Sequence, residues 1–174
     1  PLVTLFIGGM PHAFNLVDGY NGQAGMLALL AASALAYVAA SAGDPMLAAL
    51  STTVAGATAG FLLWNYPRGL IFAGDGGAYL WGAYLASASA LLVARHAEVS
   101  PLFPVLLLLY PIQETAFSGL RRLSRGQSPV RADALHLHHL IYRRLVRPSV
   151  HDDEARRVLM RNNRTSPYLW GFTL

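Results

Sequence analysis

Long uncharged segments alternate with short polar ones along this chain. Residues 22–43, 45–67, 77–94 and 99–113 contain almost no charged side chains. Each is as long, or nearly as long, as the ~20 residues that a membrane-spanning helix needs. Within them the apolar residues run in blocks and do not follow a single helical face, which is typical of helices with apolar surroundings on all sides. We therefore predict a chain built from membrane helices.

Composition favours this interpretation over a large soluble core. The 174 residues are 54% hydrophobic and 13% charged, whereas soluble domains carry about 25% charged residues. A soluble core would also need amphipathic helices to cover it, and only the stretch between Asp133 and Pro148 has that pattern. The sequence thus predicts an all-α fold, a polytopic transmembrane helix bundle with one amphipathic cytoplasmic helix.

The uncharged segments divide the chain into helices and loops of one membrane domain, residues 1–174. The chain opens and closes within apolar runs, so we expect it to be a fragment of a longer polytopic protein. The loops that we expect in the cytoplasm are residues 14–21, 64–76 and 118–165. We predict membrane helices near 1–13, 22–41, 45–63, 77–94 and 100–117, and the start of another at 166–174.

The arginines orient this bundle. All thirteen basic residues are arginine, and eleven of them lie in loop 118–165. Successive loops must alternate sides, and the loops rich in basic residues lie in the cytoplasm. Arg68 falls on the same side as that loop, and only Arg95 falls on the other. The net charge of +4 therefore reflects one membrane face, and nothing in the chain resembles a nucleic-acid-binding motif.

Two acids lie in the cytoplasmic loops, each just before a predicted helix: Asp18 in NLVDGYNG and Asp75 in FAGDGGAY. One explanation is that each caps a helix, which stabilises it by about 1 kcal/mol. The alternative is a ligand site. Gly74, Gly76 and Gly77 let a phosphate or metal approach the main chain, the helix N-terminus attracts anions, and a carboxylate can hold Mg²⁺.

The loop over residues 118–165 supplies cationic groups in ALHLHHLIYRR. On a helix, His136, His139, Arg143 and Arg147 share one face, whereas His138 points away from it. Histidine and arginine on one face suit the recognition of an anion. A basic amphipathic helix that lies on anionic lipid is the alternative.

Three motifs in register with this topology carry a resemblance that covers nearly the whole chain. NLVDGYNG, WNYPRGLIFAGDGGAYLWG and ALHLHHLIYRR resemble the polyprenyl-phosphate N-acetylhexosamine-1-phosphate transferase family (glycosyltransferase family 4), in which they form cytoplasmic catalytic loops. That family includes the phospho-N-acetylmuramoyl-pentapeptide transferases of peptidoglycan synthesis and the enzymes that begin O-antigen and teichoic-acid glycans. The HxHH form is similar to the N-acetylglucosamine branch.

The resemblance implies transfer of a sugar 1-phosphate, with N-acetylglucosamine as the expected sugar, from a UDP-N-acetylhexosamine to undecaprenyl phosphate, with release of UMP. It implies an enzyme that depends on Mg²⁺ (or Mn²⁺) and lies in the bacterial inner membrane with its active site at the cytoplasmic face; a homodimer stays open. Implied catalytic residues are Asp18, Asp75 and His139, with Asp75, and less firmly Asp18, as metal ligands. Implied nucleotide or phosphate contacts are Asn15, Asn65, His136, His138, His139, Arg143 and Arg144.

Two departures from the family pattern matter. Asn21 stands where many members have a second Asp in the DGxDG loop, and the family's Asp-Asp pair would lie upstream of this chain. We therefore expect the fragment alone to be inactive. The alternatives are a phospho-N-acetylmuramoyl-pentapeptide transferase, a scaffold without catalysis, and a transporter that would use Glu114 and the helices broken by Pro104 and Pro111.

Overall fold

The computed structural model describes residues 1–124, 126 and 163–171, and every regular element among them is a helix. This confirms the predicted all-α membrane bundle. The amphipathic helix expected between Asp133 and Pro148 lies outside the described residues. The helices are α1 (Leu2–Val17), α2 (Gln23–Ser41), α3 (Pro45–Asn65), α4 (Gly74–Arg95), α5 (Phe103–Leu107), α6 (Leu109–Ser124) and a short α7 over residues 163–170.

Helices α2, α3 and α4 are long and apolar enough to cross a membrane, and α1 is an apolar but shorter helix. The packing is antiparallel and falls mainly into two pairs, α2 with α3 and α1 with α4. Polar side chains join α3 to α4 inside the bundle: Trp81 donates to Thr58 at 3.0 Å, and the hydroxyls of Ser51 and Tyr84 lie 2.8 Å apart. Such bonds between helices are a common source of stability in membrane bundles.

Small residues set how closely the helices approach, but only at some of the predicted positions. The sequence offers two sets with four-residue spacing: Gly56 with Gly60, and Gly82 between Ala78 and Ala86. At Gly82 an added Cβ would lie 2.5 Å from the Met10 carbonyl oxygen, so α1 and α4 touch backbone to backbone. At Gly56 and Gly60 the same spacing does not bring helices together, since no described residue has an atom within 4 Å of an added Cβ there.

The segment expected to form one helix near 100–117 is divided. Helix α5 ends at Leu107, Leu108 leaves helical geometry, and α6 begins at Leu109. Pro111 explains the break, because it has no N–H to donate to the carbonyl of Leu107 and its ring crowds that carbonyl. The helical hydrogen bonds resume at the next residue, since the Ile112 N–H donates to the Leu108 carbonyl at 3.2 Å.

At the end of the bundle where α2 meets α3, Asp44 behaves as the capping residue that its position suggests. Its side chain accepts from the Leu47 N–H at 2.9 Å, and Arg95 and His96 each lie 3.3 Å from its other oxygen. The Leu47 N–H, followed by His96 and Arg95, lowers the pKa of Asp44. His96 also lies 3.4 Å from Glu98. This network ties the α2–α3 turn to the end of α4.

Candidate active site

The opposite end of the bundle gathers two connections, the α1–α2 loop (residues 18–22) and the α3–α4 loop (residues 66–73). Asn21 donates to the carbonyl of Pro67 at 3.3 Å, and the N–H of Gly22 donates to Asn65 at 2.6 Å. The two loops that the alternation rule placed on one side are therefore in direct contact. The residues predicted for the site can be located from this junction.

Asp75 lies inside the first turn of α4 and not in a loop as we expected, because the helix begins three residues before the predicted start at residue 77. The helix begins at Gly74, where a φ of +61° suits glycine, and its N-cap is Ala73 without a side-chain bond. Capping thus does not explain Asp75. Its carboxylate is exposed and accepts a 2.7 Å hydrogen bond from the side-chain amide of Asn15.

Asp18 ends α1 and does not cap α2, whose N-cap is Gly22. Although solvent reaches its side chain, surrounding protein atoms and the charge of Asp75 raise the pKa of Asp18 to about 6. Two carboxylates that repel each other in this way offer oxygen ligands to a divalent cation. Within the described residues no group of three His, Cys, Asp or Glu side chains forms around them.

Asn15 is positioned by the register between α1 and α4. One turn before it, the His12 ring meets the Tyr79 ring edge to face at 5.4 Å, as Asn15 meets Asp75. The antiparallel pairing thus sets His12, Asn15, Tyr79 and Asp75 along one seam between the helices. The predicted nucleotide contact of Asn15 stays a prediction; the observed partner is the carboxylate.

Asn65 is buried, with 6% of its surface exposed, and both ends of its amide are bonded. Its oxygen accepts from the Gly22 N–H at 2.6 Å, and its NH₂ donates to the Ile71 carbonyl at 2.8 Å. Asn65 therefore holds the two loops in place. Its predicted nucleotide contact is untested, and any such contact would add to this structural role.

Asn21 is also buried. Its burial gives a physical reason for an amide at this position, where the DGxDG pattern has an acid. Its NH₂ faces the Pro67 carbonyl, and Gly69 lies so close that a Cβ there would be 2.7 Å from the Asn21 amide. An ionised carboxylate in this position would lose the donated bond and face a carbonyl oxygen away from water. A neutral side chain suits the junction better.

Helix α7 supplies contacts that sequence reasoning missed. Trp170 donates to the Gly22 carbonyl at 3.1 Å, and Ser166 donates to the Asn21 carbonyl at 2.6 Å. Tyr66 packs edge to face on Trp170 at 4.9 Å and donates to the Asn163 carbonyl. The alternation of loops could have placed residue 166 on this side, but no pattern in the sequence pointed to these partners.

The third predicted part of the site is the histidine motif. The residues assigned to it, His136, His138, His139, Arg143 and Arg144, lie outside the described residues. Of the predicted site residues, the structure therefore describes only Asp18, Asp75, Asn15 and Asn65.

Comparison with known proteins adds the family context. The family model described as Glycosyl transferase family 4 matches residues 1–93. A Bacillus subtilis protein named probable undecaprenyl-phosphate N-acetylglucosaminyl 1-phosphate transferase is 34% identical over 80% of this chain and 39% of its own length. A Thermotoga maritima undecaprenyl-phosphate alpha-N-acetylglucosaminyl 1-phosphate transferase is 32% identical over 82% of this chain and 43% of its own length.

A Synechococcus phospho-N-acetylmuramoyl-pentapeptide-transferase is also similar, at 33% identity over 80% of this chain and 41% of its own length. The chain thus spans about two fifths of the length of these curated relatives. The match to the family model, residues 1–93, includes both loops of the junction.

Proposed function

Because the chain belongs to glycosyltransferase family 4, we propose that the protein containing it transfers N-acetylglucosamine 1-phosphate from UDP-N-acetylglucosamine to undecaprenyl phosphate and releases UMP. The names of the Bacillus and Thermotoga relatives support this acceptor and this sugar. The observation that carries the proposal is the contact, at one end of the bundle, between the α1–α2 loop, which holds Asp18, and the α3–α4 loop, which leads into Asp75. We place that end at the cytoplasmic face of a bacterial plasma membrane.

The chemistry needs little proton transfer, because the attacking lipid phosphate is already an anion near neutral pH. The main obstacle is to bring two anionic phosphates together, which positioning and charge neutralisation overcome. Burial, and then the nearby charge of Asp75, raise the pKa of Asp18, and two carboxylates at one end of the bundle fit a pair of ligands for Mg²⁺ (or Mn²⁺). Held by these carboxylates, the cation would neutralise charge on the diphosphate of the donor.

Three side-chain amides near Asp18 and Asp75 hold the candidate site in place. Asn15 donates to one oxygen of Asp75, which fixes the rotation of the carboxylate and leaves the second oxygen available. Asn65 and Asn21 hold the two loops that carry the acids. Each of the three amides is neutral, so it orients the site without cancelling the negative charge that attracts a cation.

An exposed aromatic ring lies on the α3–α4 loop, which leads into Asp75. Phe72 leaves 75% of its surface uncovered three residues before Asp75. A flat apolar face in that place can stack on the uracil of the donor, since aromatic side chains bind planar rings by offset stacking. We include Phe72 as a base-binding residue of the proposed site.

The histidine motif completes the proposal. His136, His138 and His139, assisted by Arg143 and Arg144, would bind the phosphates of the donor through charge-assisted hydrogen bonds. Asn163, downstream of this motif, accepts a bond from Tyr66 beside the loop junction. That contact supports a return of the chain to the face that carries the acids.

The test uses the full-length protein in membranes with undecaprenyl phosphate and a panel of UDP-sugars, and measures UMP together with the lipid product. Asp75→Asn keeps the shape of the side chain but removes its charge, so we expect UMP release to fall at least 100-fold, a loss on the order of that for removing one preorganised catalytic group. Chelation by EDTA should stop the reaction and Mg²⁺ should restore it.

Glu98→Gln is the matched control, because Glu98 is an exposed acid at the other end of the bundle. It should turn over like the unaltered protein. Normal turnover in Asp75→Asn would reject the assignment of the site. A product that carries N-acetylmuramoyl-pentapeptide would replace the proposed substrate by that of the Synechococcus relative.

A further inference from the structure

A cavity of about 410 Å³ opens where α3 ends and the α3–α4 loop begins. Its volume lies within the range of small-molecule sites. One of its six lining residues is charged and the others are largely apolar or aromatic. The lining residues are Leu63, Trp64, Tyr66, Pro67, Arg68 and Leu70.

The apolar wall of this cavity faces outward. Leu63 is 81% exposed, Trp64 60% and Leu70 58%, and α3 is the least buried of the three candidate membrane spans. Tryptophan at the end of a membrane helix typically lies at the boundary between lipid and water. The wall therefore fits the acyl chains of the surrounding leaflet.

Arg68 supplies the polar part. Its side chain is exposed and has no ion pair or hydrogen bond to any other residue that the structure describes. The two residues that follow it are bonded to the end of α3, because Gly69 donates to the Asn65 carbonyl at 2.7 Å and Leu70 donates to the Trp64 carbonyl at 3.0 Å. A guanidinium on a fixed loop above an apolar wall matches a phosphate that is followed by an acyl chain.

We propose that this cavity binds an anionic phospholipid of the adjacent leaflet, with Arg68 at its phosphate and the wall of Leu63, Trp64 and Leu70 along its first acyl segment. A nucleotide fits less well, because a diphosphate and ribose need several polar partners and, among the described residues that line the cavity, Arg68 alone is charged. The proposal goes beyond the proposed reaction and does not depend on it.

Native mass spectrometry of the delipidated full-length protein tests the site. Phosphatidylglycerol and phosphatidylcholine with identical chains are titrated separately, and the affinity for the first bound lipid is compared. One arginine near an anionic lipid surface should make phosphatidylglycerol bind about fivefold more tightly. Arg68→Gln should remove this preference and leave phosphatidylcholine binding unchanged.

Arg164→Gln is the matched control, because Arg164 is also exposed and follows Asn163, which contacts Tyr66 at this end of the bundle; it should keep the preference. Trp64→Ala should weaken both lipids alike. An unchanged preference in Arg68→Gln, an equal loss in Arg164→Gln, or displacement of the lipid by inorganic phosphate at matched concentration would each overturn the proposal.

Discussion

Replacing Gly82 by alanine tests whether the contact between α1 and α4 positions the candidate site. The added Cβ would lie 2.5 Å from the Met10 carbonyl oxygen and 2.7 Å from the Pro11 Cα. Both neighbours are backbone atoms, so no side-chain rotation can relieve the clash. The helices must separate.

The required separation can be worked from these distances. Carbon–oxygen contacts between helices are ordinarily about 3.3–3.6 Å, so α1 must move away by about 0.8–1.1 Å. Asn15 and Asp75, which lie on the same pair of helices 2.7 Å apart, would then be about 3.5–3.8 Å apart, beyond a good hydrogen bond. Overpacking of this kind costs about 1–3 kcal/mol.

Unfolding of the full-length protein in mixed micelles by increasing detergent denaturant measures the stability, and UMP release measures the site. We expect Gly82→Ala to lose stability by the amount above and to lose activity as the orientation of Asp75 is relaxed. Gly60→Ala is the matched control, because a Cβ at Gly60 meets no described atom within 4 Å. It should be neutral or stabilising by up to about 1 kcal/mol, since alanine favours a helix more than glycine does.

The result that would refute this reasoning is a Gly82→Ala protein as stable as the Gly60→Ala protein, with unchanged UMP release. A Gly82→Ala protein that is less stable but fully active would support the contact between α1 and α4 and would reject the claim that this contact orients Asp75.

Two further predictions concern the loops. The pKa of Asp18 is raised from 3.8 to about 6 in the folded protein, so its stabilising contribution is complete below about pH 4 and is lost as the pH rises through about 6. In EDTA at pH 8, Asp18→Asn should therefore have a higher melting temperature than the unaltered protein, and this difference in melting temperature should vanish near pH 4. A difference that does not depend on pH would contradict the raised pKa of Asp18. Trp170→Phe removes the bond to the Gly22 carbonyl but keeps a ring against Tyr66, and should cost about 0.5–1.5 kcal/mol and raise KM for the UDP-sugar. Tyr66→Phe is the comparison variant: it loses only the bond to Asn163 and should lower stability without changing KM. Equal KM values in Trp170→Phe and Tyr66→Phe would show that α7 does not position the α1–α2 loop.

The long helices and the side on which each loop lies could be predicted, because both follow from simple physical rules. An uncharged segment of about 20 residues has few alternatives to a membrane helix, and successive helices must alternate direction. These rules place Asp18 and Asp75 at one end of the bundle, and the contact between the α1–α2 loop and the α3–α4 loop agrees with that expectation. Hydropathy alone does not predict the division at Leu108, because it does not register the N–H that Pro111 lacks. A break at Pro111 is expected from the sequence only for the transporter alternative.

The partners within the site could not be predicted for a different reason. Buried amides and exposed amides look alike in a sequence, and only the fold decides which of them is surrounded. The sequence predicts a nucleotide contact for Asn65 and marks Asn21 as a departure from the family motif. In the structure both side chains are buried and form hydrogen bonds between the loops. Trp170, from the far end of the chain, was read only as part of a membrane helix.

These amides also explain how a negatively charged site can be held firmly. A basic or acidic side chain at position 21 or 65 would lose much of its hydration, and an unpaired buried charge is costly. Its charge would also change the electrostatic potential at Asp18 and Asp75, because charge interactions reach farther where water is excluded. A buried amide donates and accepts without carrying net charge, so Asn21 and Asn65 can fix the loops while the acids keep their field. The substitution of an acid by Asn21 is therefore consistent with a functional site, since the position holds the loops together and the charge remains on Asp18 and Asp75.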